Sequence, residues 1–404
     1  LHVYNVGIGY NAGASMTNGT LNTIIGGNAG DALTTGSSNI AIGYNALSTE
    51  DTGQANVAIG QGALQTANYD GTGYNVAVGH EAGNDITTGK NNTLIGGLAG
   101  DALTTGDNNV AVGRSAVSAE TGGGRNIAIG YQTLKDLNTD SQGYNIAIGY
   151  NAGVDMTSGT RNTLIGSLTG DALTSGYYNT ALGYQALSAS VSGRNAVAIG
   201  YQALSNENST NTETYNVAVG YTAGSQISTG VRNVIVGGLA GDAITTGSNN
   251  IAIGYLTLSA EDTGSRSIAI GGSALANQNY DGQAYNVAIG HQAGTSITTG
   301  VQNTFIGGLA GDALTTGTQN VGIGYLALTA ANGSENYNVA IGTGSLMSLD
   351  SSGDMWNTAV GNNSGLSITT GTKNVLLGGR AGDALTTAVE NTVVGYEALS
   401  DAVT

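Results

Sequence analysis

Asn92–Gly106, NTLIGGLAGDALTTG, holds four glycines, three threonines and one acid in fifteen residues. Taken alone it resembles a loop that cradles phosphate or calcium. It recurs almost unchanged from Asn22, Asn162, Asn233, Asn303 and Asn374, so its meaning lies in the repetition. Its opening Asn heads a shorter pattern, N-x-A-I-G, whose first positions fall at 5, 22, 39, 56, 75, 92, 109, 126, 145, 162, 179 and 196. They continue at 216, 233, 250, 267, 286, 303, 320, 338, 357, 374 and 391. That is 23 units, most of them 17 residues long, with the fourth unit of each group lengthened. A self-similar period of this kind decides the architecture before any other feature is weighed.

Within a unit, positions 2 to 4 are Val/Ile/Thr, Ala and Ile/Val, the alternation of a short strand. Gly at position 5 turns a corner, and a second arm such as Tyr44–Ser48 carries Ala at position 8 and one larger aliphatic. Gly at position 15 (Gly36, Gly53, Gly89, Gly106) closes the coil. Glycines at this density would cost a helix about 1 kcal/mol each. The pattern therefore predicts an all-β chain, a parallel β-solenoid (β-roll or β-helix) of about 23 coils in 70-residue super-repeats. We place these at 5–74, 75–144, 145–215, 216–285, 286–356 and a partial 357–404, together one continuous repeat region, 1–404, of a longer chain.

Composition agrees. The 404 residues include 68 glycines, no proline, no cysteine, one tryptophan and one phenylalanine, against the mixed apolar usage of a globular core. Absence of cysteine excludes disulfides, thiolate zinc sites and a cysteine nucleophile. Twenty-seven acids against ten bases give a net charge of −17 without charged runs, which argues against a nucleic-acid surface. No stretch approaches the ~18 apolar residues of a membrane span, so no membrane insertion is expected.

Three further regularities carry expectations. Asn opens nearly every unit, Ala196 and Ser267 excepted, and a stacked Asn column passes amide hydrogen bonds from coil to coil. Units one and two have Gly at position 9 and Leu, Ile or Met at position 12. Units three and four move the large residue to position 9 (Leu47, Leu64, Val117, Leu134), which keeps packing volume constant. Finally, unit two places Ile24, Leu94, Leu164, Ile235, Phe305 or Leu376 at position 3 and Gly or Ser (Gly27, Gly97, Ser167, Gly238, Gly308, Gly379) at position 6. Reading position 3 as facing outward makes these six residues inter-chain contacts and predicts a homotrimeric rod.

The sequences "NVAIG", "NIAIGYNAL", "NNIAIGY" and "TTGxxN" resemble the head repeats of trimeric autotransporter adhesins, parallel β-rolls assembled as trimers. They are equally similar to repeats of phage tail-fibre and virion-fibre proteins. The resemblance covers all 23 units, although the adhesin heads use a shorter coil than the 17 residues found here. It implies a non-enzymatic fibre or shaft at a virion or bacterial surface, outside the cell. That fibre presents a receptor-binding tip or, as an adhesin, binds host ligands through its loops.

Several motifs are decoys. "GGLAGD" lacks the glycine of a calcium β-roll, and Asp31, Asp101, Asp171, Asp242, Asp312 and Asp383 lie four coils apart, roughly 19 Å at the spacing of paired strands. Each is expected to cap a turn. "GNDITTGKN", Gly83–Asn91, has a phosphate loop's composition without its spacing or its helix. His80 and His291 sit in distant blocks. The acid pairs Glu50–Asp51 and Glu261–Asp262 are expected in solvated corners, and no catalytic residue, metal site or cofactor is assigned. Thr pairs such as Thr34–Thr35 suggest ice binding, but unit three lacks them.

Contact with a cell-surface glycan or protein is expected at the loops of unit four, which vary most. Their candidate contact tips are Tyr69, Asp70, Asn138, Asp140, Asn279 and Asp281. The aromatics that end these loops (Tyr74, Tyr144, Tyr215, Tyr285, Trp356, and Tyr4 at the start) are expected to clamp the loop onto the coil below.

Overall fold

The computed structural model describes residues 4–210 and 212–401. Its regular structure is all β: one three-residue strand per coil, always at positions 2 to 4. The β-branched residues of positions 2 and 4 favour the pleated conformation. The strand ends at the position-5 glycine, whose φ lies between +124° and +147° in every coil. A Cβ there would also strike the next coil's backbone; at Gly113 it would lie 2.2 Å from the Gly130 carbonyl oxygen. Conformation and clearance both demand glycine at this corner.

The chain forms two compact units, Leu1–Ala196 with Asn208–Glu213, and Val197–Glu207 with Thr214–Thr404. The first stacks eleven strands, from Val6–Ile8 to Thr180–Leu182, and the second twelve, from Val197–Ile199 to Thr392–Val394. The second also has a two-residue parallel pair, Glu335–Asn336 with Gly353–Asp354. Pairing within each unit is parallel and in register, position on position, as in Val110↔Ile127, Ala111↔Ala128, Val112↔Ile129. Each unit is therefore the β-solenoid that the repeat predicts, with one sheet face turned inward and the remaining sides closed by turns. Among the described residues no helix is long and apolar enough to cross a membrane.

Position 3 faces the interior, which reverses the outward reading of the unit-two residues. Ile24, Leu94, Leu164, Ile235, Phe305 and Leu376 are all buried within their own chain. They fill the space that the position-9 glycines of units one and two leave empty. A Cβ added at Gly83 would lie 2.7 Å from Leu94 Cδ1, and one at Gly100 2.8 Å from Leu94 Cδ2. The position-6 glycines serve a separate purpose on the opposite face. Cβ atoms at Gly27 and Gly379 would meet the rings of Tyr44 and Tyr396, one coil on, at 3.4 Å. The bulk at position 3 thus fills space inside its own coils, and the small residue at position 6 lies on the opposite face and takes no part in that fit.

The Asn column is the second longitudinal bond system. Most of the side chains donate Nδ2 to the position-15 carbonyl, as Asn92 does to Gly106 at 2.9 Å. Its Oδ1 accepts the backbone N–H of the next Asn, here Asn109 at 2.9 Å. Amide-to-amide bonds link the column as well, as from Asn56 Nδ2 to Asn39 Oδ1 at 3.0 Å. Where Ser267 interrupts it, the buried Gln278 steps in, donating to Ser267 Oγ at 2.9 Å and accepting from Asn286 at 2.8 Å. Buried amides satisfied on both sides in this way tie coil to coil, their hydrogen bonds offsetting the cost of desolvation.

Candidate interaction surfaces

The lengthened loop of unit four alternates inward and outward, so its residues have contrasting fates. Position 14 points in. Tyr69 is 4% exposed, its hydroxyl donates to Asn56 Oδ1, and burial pushes its pKa up. The placement of Tyr69 at a loop tip is therefore corrected: it is a core residue that joins the Asn column. Asp70, Asn138, Asp140, Asn279 and Asp281 are exposed, as expected. Three are braced by threonines of the preceding coil: Thr52 to Asp70 at 3.2 Å, Thr121 to Asn138 at 2.9 Å and Thr263 to Asp281 at 2.8 Å. Within the first unit, the tips at Asp70 and Asn138 stand four coils apart, roughly 19 Å.

What holds these loops was missed in the sequence. Glu50 and Glu261 do not sit in solvated corners; they are fully buried, as are Glu120 and Glu335. Each accepts the position-14 amide of the following loop: Tyr69 on Glu50, Thr139 on Glu120 at 3.0 Å, Tyr280 on Glu261, Ser351 on Glu335 at 2.9 Å. Glu50, Glu120 and Glu261 also accept the amide of the coil-closing glycine, Gly53 at 2.7 Å, Gly123 at 2.8 Å and Gly264 at 2.6 Å. Desolvation raises the Glu50 and Glu261 carboxyls above the ordinary value, and these donors pull them partway back. The signal was available: Glu50, Glu120 and Glu261 occupy position 12, the slot that holds buried Leu or Ile in units one and two.

Among the recurrent aspartates, local backbone amides hold Asp101, by its own and that of Ala102, and Asp171, by its own and that of Ala172. Asp31, Asp101, Asp171, Asp242 and Asp383 each leave a buried Oδ1 without a hydrogen-bond partner. Asp312 accepts from the Thr329 hydroxyl one coil on. Burial raises the carboxyls of Asp101, Asp171 and Asp242.

Positions 2 and 4 form the outer face of the sheet. Ile40, Ile95, Ile129 and Leu182 in the first unit, and Ile289, Ile306, Ile341 and Leu377 in the second, are exposed along it. Tyrosines at position 6 flank the face, with Tyr131 stacked on Tyr150 at 5.5 Å and Tyr201 on Tyr221 at 5.2 Å.

The residue before each opening Asn, position 17 in the unlengthened units, makes a third surface, a seam beside the Asn column. Its residues adopt left-handed backbone (Arg125 φ 61°, Tyr144 φ 52°, Arg161 φ 58°, Tyr178 φ 61°), which directs their side chains along the stack. The loop-ending aromatics lie here, and three of them rest on the seam residue of the coil before. Tyr144 takes Arg125 at 5.4 Å, Tyr285 takes Arg266 at 5.5 Å, and Trp356 stacks on Tyr337 at 4.1 Å. They clamp the coil below through the seam rather than through the loop, apart from the Tyr285 hydroxyl, which also donates to Gln283 at 2.6 Å. Neither the family models nor the curated proteins give any match to the chain.

Proposed function

We propose that this chain is a non-catalytic structural element, a β-solenoid segment of a phage tail or virion fibre that holds a receptor-binding tip outside the cell. Its copies pack together as a homotrimer through the outer face of the sheet. The observation that carries this reading is the outer sheet face at positions 2 and 4, mostly aliphatic, half-buried in many coils and exposed in others, as at Ile95, Ile129, Leu182, Ile306 and Ile341. An apolar face this long is unusual on a chain that works alone. With strands ~4.8 Å apart and three residues wide, the twelve strands of the second unit offer roughly 600 Å² per copy. Contact between two such faces reaches about 1,000 Å², the size of a specific interface.

Sedimentation equilibrium tests the reading. The expected mass is three chains, falling to one when Ile306→Lys and Ile341→Lys place charges on the second unit's face while the β-sheet circular dichroism is retained. A stable monomer of the unaltered chain at micromolar concentration would sink it. A second reading, a bacterial surface adhesin that binds host or matrix ligands through its loops, is favoured by the exposed tips Asp70, Asn138, Asp140, Asn279 and Asp281. Alanine at all five abolishes attachment to cells or matrix under that reading and leaves a passive fibre unaffected.

A further inference from the structure

Half of the ten basic residues of this acidic chain stand at position 17: Arg125, Arg161, Arg232, Arg266 and Lys373. In the first unit two of them alternate with tyrosines over four successive coils. The Arg161 guanidinium lies 5.9 Å from the Tyr144 ring on one side and 5.4 Å from the Tyr178 ring on the other. Arg125 covers the other side of Tyr144 at 5.4 Å. Each guanidinium donates one Nη1–H to a phenol oxygen, Arg125 to Tyr144 and Arg161 to Tyr178 at 3.2 Å. Among the described residues neither is ion-paired with a carboxylate, although acids outnumber bases almost threefold. Both are exposed.

We infer that the Arg125–Tyr144–Arg161–Tyr178 seam is a binding site for a linear acidic polysaccharide that runs along the stack. A guanidinium presents five donors in a planar fork matched to a carboxylate or sulfate. Stacking between rings and one bond to a phenol hold each fork in place and leave its remaining donors for a ligand. The two arginines stand two coils apart, roughly 10 Å, a spacing that every second carboxylate of an extended polyuronate chain can span. The phenol hydroxyls of Tyr144 and Tyr178 accept from arginine and donate to sugar hydroxyls. Single-stranded nucleic acid fits less well, because it binds by stacking bases on open aromatic faces and both faces of Tyr144 are occupied. The net negative charge does not prevent a local contact, because charges beyond about 8 Å are screened at physiological salt. The seam is a different face from the sheet, so the inference does not depend on self-association.

The test is fluorescence titration of the full chain with end-labelled hexagalacturonate, alongside labelled neutral dextran, hexaglutamate and a twelve-residue oligothymidylate. The expected result is saturable binding of the uronate oligomer that weakens with added salt. It should fall at least tenfold in the Arg125→Gln/Arg161→Gln double variant and several-fold in Tyr144→Phe. Gln occupies this seam naturally at Gln302 and Gln319 with the same left-handed backbone, so the double variant keeps the fold, as circular dichroism would verify. Absence of uronate binding overturns the inference. So do binding that the double variant leaves intact and equally tight binding of hexaglutamate or oligothymidylate.

Discussion

Phe305 and Gly322 show how closely single residues answer one another here. They are register partners in adjacent strands, where four of the other unit-two coils pair Leu or Ile with Ala, as in Leu94↔Ala111 and Ile235↔Ala252, and Leu376 pairs with Val393. A Cβ at Gly322 would lie 2.9 Å from Phe305 Cδ1, so the ring fits only because the next coil gives up its methyl. Gly322→Ala alone is expected to destabilise by about 1–3 kcal/mol through overpacking. The double change Phe305→Leu/Gly322→Ala restores stability, because alanine orders a strand at lower entropic cost than glycine by about 0.5–1 kcal/mol. Chemical denaturation of the two variants and the wild type measures this; additive losses would refute it. The same position shows what the sequence could not reveal. Alternation states that position 3 opposes positions 2 and 4, but not which side is inner. Here the inner side is so narrow that alanine is its normal occupant, with bulk supplied from positions 9 and 12. The β-branched positions that look like core are the surface.

Among the elements, the strands and corners were legible because their signals are local: β-branching, then a glycine that no other residue can replace. The unit-four loops were legible as places but not as conformations. Their shape depends on a carboxylate donated by the coil before, and Glu120 looks solvated until position 12 is recognised as interior. Replacing Glu120 by Ala removes the acceptor for the amides of Gly123 and Thr139 and for the Thr139 hydroxyl. Two buried N–H groups left unsatisfied cost about 1–3 kcal/mol each. Hydrogen exchange should report loss of protection at Thr139 and its neighbours, with the amides of strand Ile127–Ile129 still slow. Uniform loss of protection across the unit would show that the carboxylate holds more than its loop.

For the whole molecule, the resolved acid shifts in the interior share one sign. Burial raises the carboxyls of Glu50, Glu261, Asp101, Asp171 and Asp242 above their unfolded values near 4.5 and 3.8. A folded state that holds protons more tightly is favoured most below those unfolded values and loses the advantage as pH rises through each folded pKa. Self-repulsion at a net charge of −17 acts in the same direction. The melting temperature at fixed ionic strength is therefore expected to fall as pH is raised from about 4.5 toward neutrality, and the slope should be shallower in Glu50→Gln. A melting temperature that rises across this window would contradict the assignment.

The direction of the bonds also sets how each unit responds to a pulling force. Backbone and Asn bonds between coils run along the stacking direction, so tension applied along it loads one coil's bonds at a time. Each coil that peels away frees 17 residues, which extend to roughly 55 Å in place of about 4.8 Å. Under load such a stack yields in small, nearly equal steps and lengthens many-fold before the covalent chain bears the strain. It behaves as an extensible shock absorber, with its longest steps at the lengthened fourth coils.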